Sequence, residues 1–115
     1  MPDKEPAFDD AAEIARLNDE FRKDLLSGHI VMTMGVRALA RQTQFKALKA
    51  IQDFDDFTPD NDPWAHHDFG EVIADSHRIW WKIDCFSKDL RFGSPNPADP
   101  SVTTRVMTIL TPAEY

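Results

Sequence analysis

Acidic residues are missing from one stretch of this chain, and basic residues from the next. Residues 29–52 contain no Asp or Glu and four bases, Arg37, Arg41, Lys46 and Lys49; residues 53–77 contain eight acids and no Lys or Arg. Other scarcities exclude whole classes of protein. A single cysteine, Cys85, cannot form an internal disulfide. No run approaches the ~20 apolar residues of a membrane helix. A secretory leader needs a basic start and then an apolar core, whereas Met1-Pro2-Asp3-Lys4-Glu5-Pro6 is acidic and proline-marked, so a cytoplasmic location is expected. Four glycines and eight prolines are too few to keep the chain unfolded.

What is present is enough for one core. The chain has 115 residues, 42% of them hydrophobic, with eight Phe and three Trp. That is the size of one ordinary domain. A net charge of -7 argues against broad contact with a phosphate backbone, which needs an excess of Lys and Arg. Segregation of charge along the chain says more than the total.

Periodicity gives the elements. Residues 1–9 read as a flexible lead, and 10–115 as a single domain. Asp10 reads as an N-cap with Glu13 as its box partner. Ile14, Leu17, Phe21 and Leu25 follow at helical spacing, and Gly28 reads as the stop of a helix over about 10–27. His29–Val36 reads as a strand apolar on both faces, hence a central one. A second helix is expected over 40–53, on an apolar stripe of Phe45, Leu48 and Ile51. Residues 53–64 hold two prolines and Asp60-Asn61-Asp62, and read as a long loop, a common place for function. Phe69–Ala74 and Ile79–Phe86 form a hairpin about a turn at 75–77. A last strand covers about 102–111. The expected fold is a two-layer α+β domain, ordered α-β-α-β-β-β, with helices on one face of a mostly antiparallel sheet of about four strands.

Several motifs occur in one order: Phe54-Asp55-Asp56-Phe57-Thr58-Pro59-Asp60-Asn61-Asp62-Pro63, His67-Asp68-Phe69-Gly70, Trp81-Lys82-Ile83-Asp84, Phe92-Gly93-Ser94, Pro97-Ala98-Asp99-Pro100 and Thr104-Arg105-Val106. Over roughly residues 13–115 the chain resembles the bacterial domain-of-unknown-function family numbered three-seven-six-eight. The resemblance implies a small bacterial protein, in some members encoded beside plasmid-maintenance or mobile-element genes. It implies no activity. The chain has His66 where members tend to have an acid, and Cys85-Phe86-Ser87 where they tend to have an aromatic followed by Asp.

Four chemistries compete for these residues. A divalent metal suits His and carboxylates, which nominates His67, Asp68 and Asp84, with Asp60 or Asp62. The adjacent His66, His67 and Asp68 lack chelating spacing, and Pro63 and Trp64 break any calcium-loop pattern. General acid–base catalysis would use His67 with Asp68 or Asp84. No nucleophile completes it: Ser94 is not in an elbow motif, and Cys85 sits on the apolar side of its strand. Nucleic-acid binding would use Arg37, Arg41, Lys46 and Lys49, against the negative field of the whole chain. Protein binding would use Phe57, Asp60, Asn61, Asp62, Trp64 and His67, an aromatic anchor in an acidic rim. In an extreme form the aspartates would imitate the phosphates of a nucleic acid.

The bland reading is that these aspartates only cap turns, while Phe54 and Phe57 pin the loop to the core. The favoured expectation is a non-enzymatic accessory or regulatory protein with no cofactor. It would bind a basic protein partner through residues 53–71, away from membranes and nucleic acid. The alternative is a small metal-dependent, hydrolase-like enzyme using His67, Asp68 and Asp84.

Overall fold

In the computed structural model, residues 8–115 are described. The lead expected over 1–9 lies, up to residue 7, outside the described residues, and Phe8 and Asp9 already belong to the first helix. That helix, α1, spans Phe8–Asp24 and buries Ile14, Leu17 and Phe21 on one side. Asp10 is therefore inside the first turn rather than at the cap. Glu13 pairs with Arg16 at 2.7 Å instead of closing a box. The expected stop at Gly28 also moves. Leu25 takes the left-handed conformation (φ 59°) and returns its N–H to the Phe21 carbonyl at 2.7 Å.

Gly28 serves the next element, β1 (Gly28–Met32). A Cβ there would run into the Arg105 carbonyl oxygen and the Phe21 ring, so only glycine lets the strand lie this close. The strand expected through Val36 ends at Met32. The Thr33 N–H makes a 3.0 Å bond to the Ile109 carbonyl, and the chain then turns into a short helix, α2 (Met34–Arg37). Val36 enters the core from that helix, which explains an apolar alternation that looked like strand. Helix α3 (Arg41–Gln52) buries Thr43, Ala47 and Ile51.

The remaining strands are β2 (Phe69–Ala74), β3 (His77–Phe86) and β4 (Thr104–Leu110). The sheet order is β1-β4-β3-β2, with β1 parallel to β4 and the other two pairings antiparallel. β1 is thus an edge strand and not the central one. Asp75 and Ser76, both at positive φ, form the two-residue turn of the β2–β3 hairpin. Thr43 and Lys46 of α3 each bond the Asp75 carboxylate at 2.7 Å and hold that turn. The protein is a two-layer α+β domain with a four-stranded mixed sheet.

The two tryptophans of β3 point to opposite faces. Trp81 is fully buried beneath the helices with Phe21, Ile51, Ile79, Met107 and Ile109. Trp80 lies on the other face, edge-on to Phe69 and Tyr115 at 5.4 Å each. Its indole N–H donates to Glu71 at 2.7 Å.

Candidate functional site: the acidic loop, its clamp and the adjoining cavity

The segment between α3 and β2 has no regular secondary structure, yet it is held at many points. Phe54 meets Trp81 edge-on at 5.5 Å and Phe57 at 4.9 Å. Phe57 stacks flat on the His67 ring, with centroids 3.9 Å apart and planes within 1°. The Arg22 guanidinium lies 5.5 Å from the Phe57 and Trp81 rings. Phe54 and Phe57 are therefore anchors of the loop.

The polar half of this clamp comes from α1. His67 Nδ1 lies 3.0 Å from both carboxylate oxygens of Asp19, and an ionised carboxylate only accepts, so Nδ1 carries the proton. Arg22 donates to the same Asp19 at 2.8 Å, and to the Ile51 and Gln52 carbonyls at the end of α3 at 2.9 and 3.2 Å. From the loop side, Asp62 is buried and accepts the backbone N–H groups of His66 and His67 at 3.1–3.2 Å. These bonds hold Ala65 and His67 in left-handed conformations at φ 56°. Such conformations cost energy outside glycine and persist only where the surroundings enforce them.

A second connection runs beside the first. Asn18 donates to the His66 carbonyl at 2.9 Å and accepts from Arg105 Nε at 2.6 Å. Arg105 also donates to the Pro97 carbonyl at 2.7 Å. One face of α1 thus organises the acidic loop, the 94–100 loop and β4.

The residues nominated from the sequence separate into three places. Phe57, Asp62 and His67 belong to the clamp. Asn61 bonds the Thr58 N–H and the Asp56 carbonyl at 2.9 Å each, bracing the turn. Asp60 and Trp64 stand on the outside, and Trp64 is 75% exposed. Asp55, Asp56 and Asp60 are exposed and make no ion pair among the described residues.

Asp68 and Asp84 line a different feature, a cavity of about 190 Å³ shared with His66, Asn18, Cys85 and Pro97. His67 is not among its lining residues; its ring is engaged with Asp19. Burial raises the Asp68 carboxyl above its ordinary value, with His66 opposing the shift and the Asp62 and Asp84 charges adding to it. Burial likewise pushes the Cys85 thiol up, so it is a poor nucleophile at neutral pH. Asp84 is paired with Lys82 at 2.8 Å. Among the described residues, no three His, Cys, Asp or Glu side chains are grouped to hold a metal ion. Of the basic residues nominated, Lys46 pairs with Asp75 at 2.7 Å and Lys49 with Asp53 at 3.4 Å. Arg37 and Arg41 are exposed and make no ion pair among the described residues.

Asn18, Asp19, Arg22 and Arg105 were not anticipated as partners of the loop. A signal for three of them exists. Asn18 and Arg22 continue the row that starts at buried Ile14 at helical i,i+4 spacing. Arg105 falls in phase with the inward-facing Met107 and Ile109. Polar side chains on buried rows need partners.

The fold and its clamped loop define a small α+β domain in which an acidic, aromatic-bearing segment is held by polar side chains from one helix. The chain belongs to the family described as protein of unknown function DUF3768, whose profile matches residues 32–114. The matched span holds the loop, Arg105 and the cavity residues His66, Asp68, Asp84, Cys85 and Pro97; α1, which supplies Asn18, Asp19 and Arg22, precedes it. Neither the curated proteins nor the solved structures include a match to this chain. Among the described residues, no helix is long and apolar enough to cross a membrane.

Proposed function

We propose that the protein is a non-enzymatic accessory or regulatory protein that binds a basic protein partner through the outer side of the 53–71 segment. One observation carries the reading: Trp64, three-quarters exposed, projects from a loop fixed by the Asp19–His67–Asp62 clamp, and Asp55, Asp56 and Asp60 of that loop form no ion pair among the described residues. An indole carried on a fixed loop spares the backbone's ordering cost on binding, which is one way an interface anchor gains affinity. Uncompensated aspartates speed the approach of a basic surface and disfavour acidic ones. The plasmid and mobile-element setting implied by the family resemblance fits an accessory role of this kind.

The test is affinity capture from host lysate with the wild type, Trp64→Ala, and Asp55→Asn/Asp56→Asn/Asp60→Asn. Asp62 is left intact because its carboxylate holds the loop. All three proteins are expected to melt within about 0.5 kcal/mol of one another. A basic partner should be retained by the wild type and lost, or sharply weakened by salt, in the variants. Identical captures from all three would remove the reading.

A second reading rests on the raised Asp68 carboxyl in the cavity it shares with His66 and Asp84. It is the metal-dependent, hydrolase-like alternative nominated from His67, Asp68 and Asp84, of which Asp68 and Asp84 line the cavity and His67 is turned to Asp19. Melting the protein with Mg²⁺, Mn²⁺ and Zn²⁺ separates the two, since a cation that binds only the folded state raises its melting temperature. A saturable rise abolished by Asp68→Asn would favour the enzyme.

A further inference from the structure

Arg105 is a buried cation, 5% exposed, with no ion-pair contact among the described residues. Glu13, a carboxylate whose charge reaches it, is bonded to Arg16. The two hydrogen bonds of Arg105 go to neutral oxygens, the Asn18 amide and the Pro97 carbonyl. Nη1 is left without a partner among the described residues. A guanidinium removed from water normally recovers the cost from a carboxylate or phosphate.

The same side chain lines a cavity of about 310 Å³ between α1, the 25–28 turn and the segment around Pro100. That volume is at the lower end of small-molecule sites, ~300–1,000 Å³. The other charged groups of the lining are Arg16, Glu20 and Lys88. Arg16 is already held by Glu13 at 2.7 Å and Glu20 at 3.5 Å. Lys88 and Arg105 are thus the cations of this cavity that make no ion-pair contact with a carboxylate among the described residues. Ser27 and Thr103 also line it, the Thr103 hydroxyl being bonded to the Asn96 and Asp99 carbonyls.

We propose that this cavity is an anion site that takes the phosphate group of a small molecule, with Arg105 as the fixed donor at its base and Lys88 as the mobile one at its rim. Two positive charges without ion-pair contacts match a doubly charged phosphate better than a single carboxylate. Asn18 and Pro97 hold the guanidinium in place beforehand, so its planar fork is oriented before the ligand arrives. Burial also disfavours the charged form of Arg105, a cost that a bound anion would reverse. The site is separate from Asp60 and Trp64, so it stands or falls independently of the partner reading.

The experiment is a ¹H–¹⁵N NMR titration of the full chain with inorganic phosphate, run beside succinate and beside sodium chloride at matched ionic strength. The proposal expects saturable shifts at Lys88, Thr103 and the Arg105 Nε, stronger for phosphate than for succinate. Lys88→Ala, an exposed rim change that leaves the fold intact, should weaken phosphate binding roughly tenfold. Arg105→Gln should abolish it, and if that variant does not fold, Lys88→Ala alone decides. Shifts equal to those in chloride, shifts confined to Arg37 and Arg41, or binding unchanged in Lys88→Ala would each overturn the proposal.

Discussion

His67 and Asp19 face each other across the gap between the acidic loop and α1, with Nδ1 within 3.0 Å of both carboxylate oxygens. The pair lies 48 residues apart in the chain and makes the most direct side-chain link between the loop and the first helix. Asp19→Ala removes the acceptor for His67 and the partner of buried Arg22 together. A loss of about 1–3 kcal/mol is expected, the usual cost of stranding a buried polar group. Hydrogen exchange should rise first at the amides of Ala65 through Asp68. Exchange rising uniformly over the whole domain would mean that the bond supports the core and not the loop.

Gly70 sits against Trp81. A Cβ built there would lie 2.6 Å from the indole Nε1 and 2.9 Å from the Phe54 ring. Trp81 is fully buried and cannot retreat, so Gly70→Ala should destabilise by about 1–3 kcal/mol, the range for overpacked cores. Thermal melts of the two proteins check this. The shift in Trp81 fluorescence should accompany the loss of stability.

Glu114 ties the last turn of the chain to the β1–α2 junction. Its carboxylate accepts from the Thr33 hydroxyl at 2.6 Å, from the Gly35 and Thr111 N–H groups at 2.8 Å each, and from the Thr111 hydroxyl at 2.9 Å. The Thr33 bond, with the others behind it, lowers its pKa from 4.5 to about 2. An acid with a depressed folded pKa stabilises above its unfolded value, and loses that contribution as the pH falls through the folded one. Glu114→Gln should therefore melt below the wild type at neutral pH. The difference should shrink below pH 4.5 and close near pH 2.

Asp68 has the opposite sign. Burial raises its pKa above the ordinary 3.8, so the ionised form costs stability once the pH exceeds the folded value. Asp68→Asn keeps the shape and removes the charge. It should melt higher than the wild type at neutral pH, and the advantage should vanish in acid below the usual carboxylate range. A lower melting temperature at neutral pH would show that the charge is compensated by a partner.

Much of the fold was legible because its elements carry one period each. The Ile14, Leu17, Phe21 row gives α1, and the alternation of Ile79, Trp81 and Ile83 gives β3. The end of β1 was not legible. Met32, Met34 and Val36 alternate as a strand would, but the Thr33 bond to Ile109 is the last of the ladder; the next free N–H, that of Gly35, goes to the Glu114 carboxylate 79 positions along the chain as α2 begins. The candidate site divides in the same way. Composition points to the 53–68 segment, whose acids and aromatics are adjacent in sequence. Its clamp depends on Asn18, Asp19 and Arg22, which no local pattern joins to His66 and His67. The sorting of Phe57, Asp62 and His67 inward, and Asp60 and Trp64 outward, follows from that clamp.

The pairing of β1 with β4 has a consequence for how the protein is made. Among the described residues β1 has no strand neighbour except β4, and Asn18 of α1 is bonded to Arg105 of the same strand. A nascent chain still tethered before Thr104 has already exposed Ile30, Met32 and the apolar row of α1, but holds no strand to receive β1. Completion of the sheet must wait until β4 has left the ribosome. Pairings this distant in sequence are slow to form. Until then the hairpin β2–β3 and helix α3 are the parts able to shelter one another, and the first third of the chain is the part a chaperone would find uncovered.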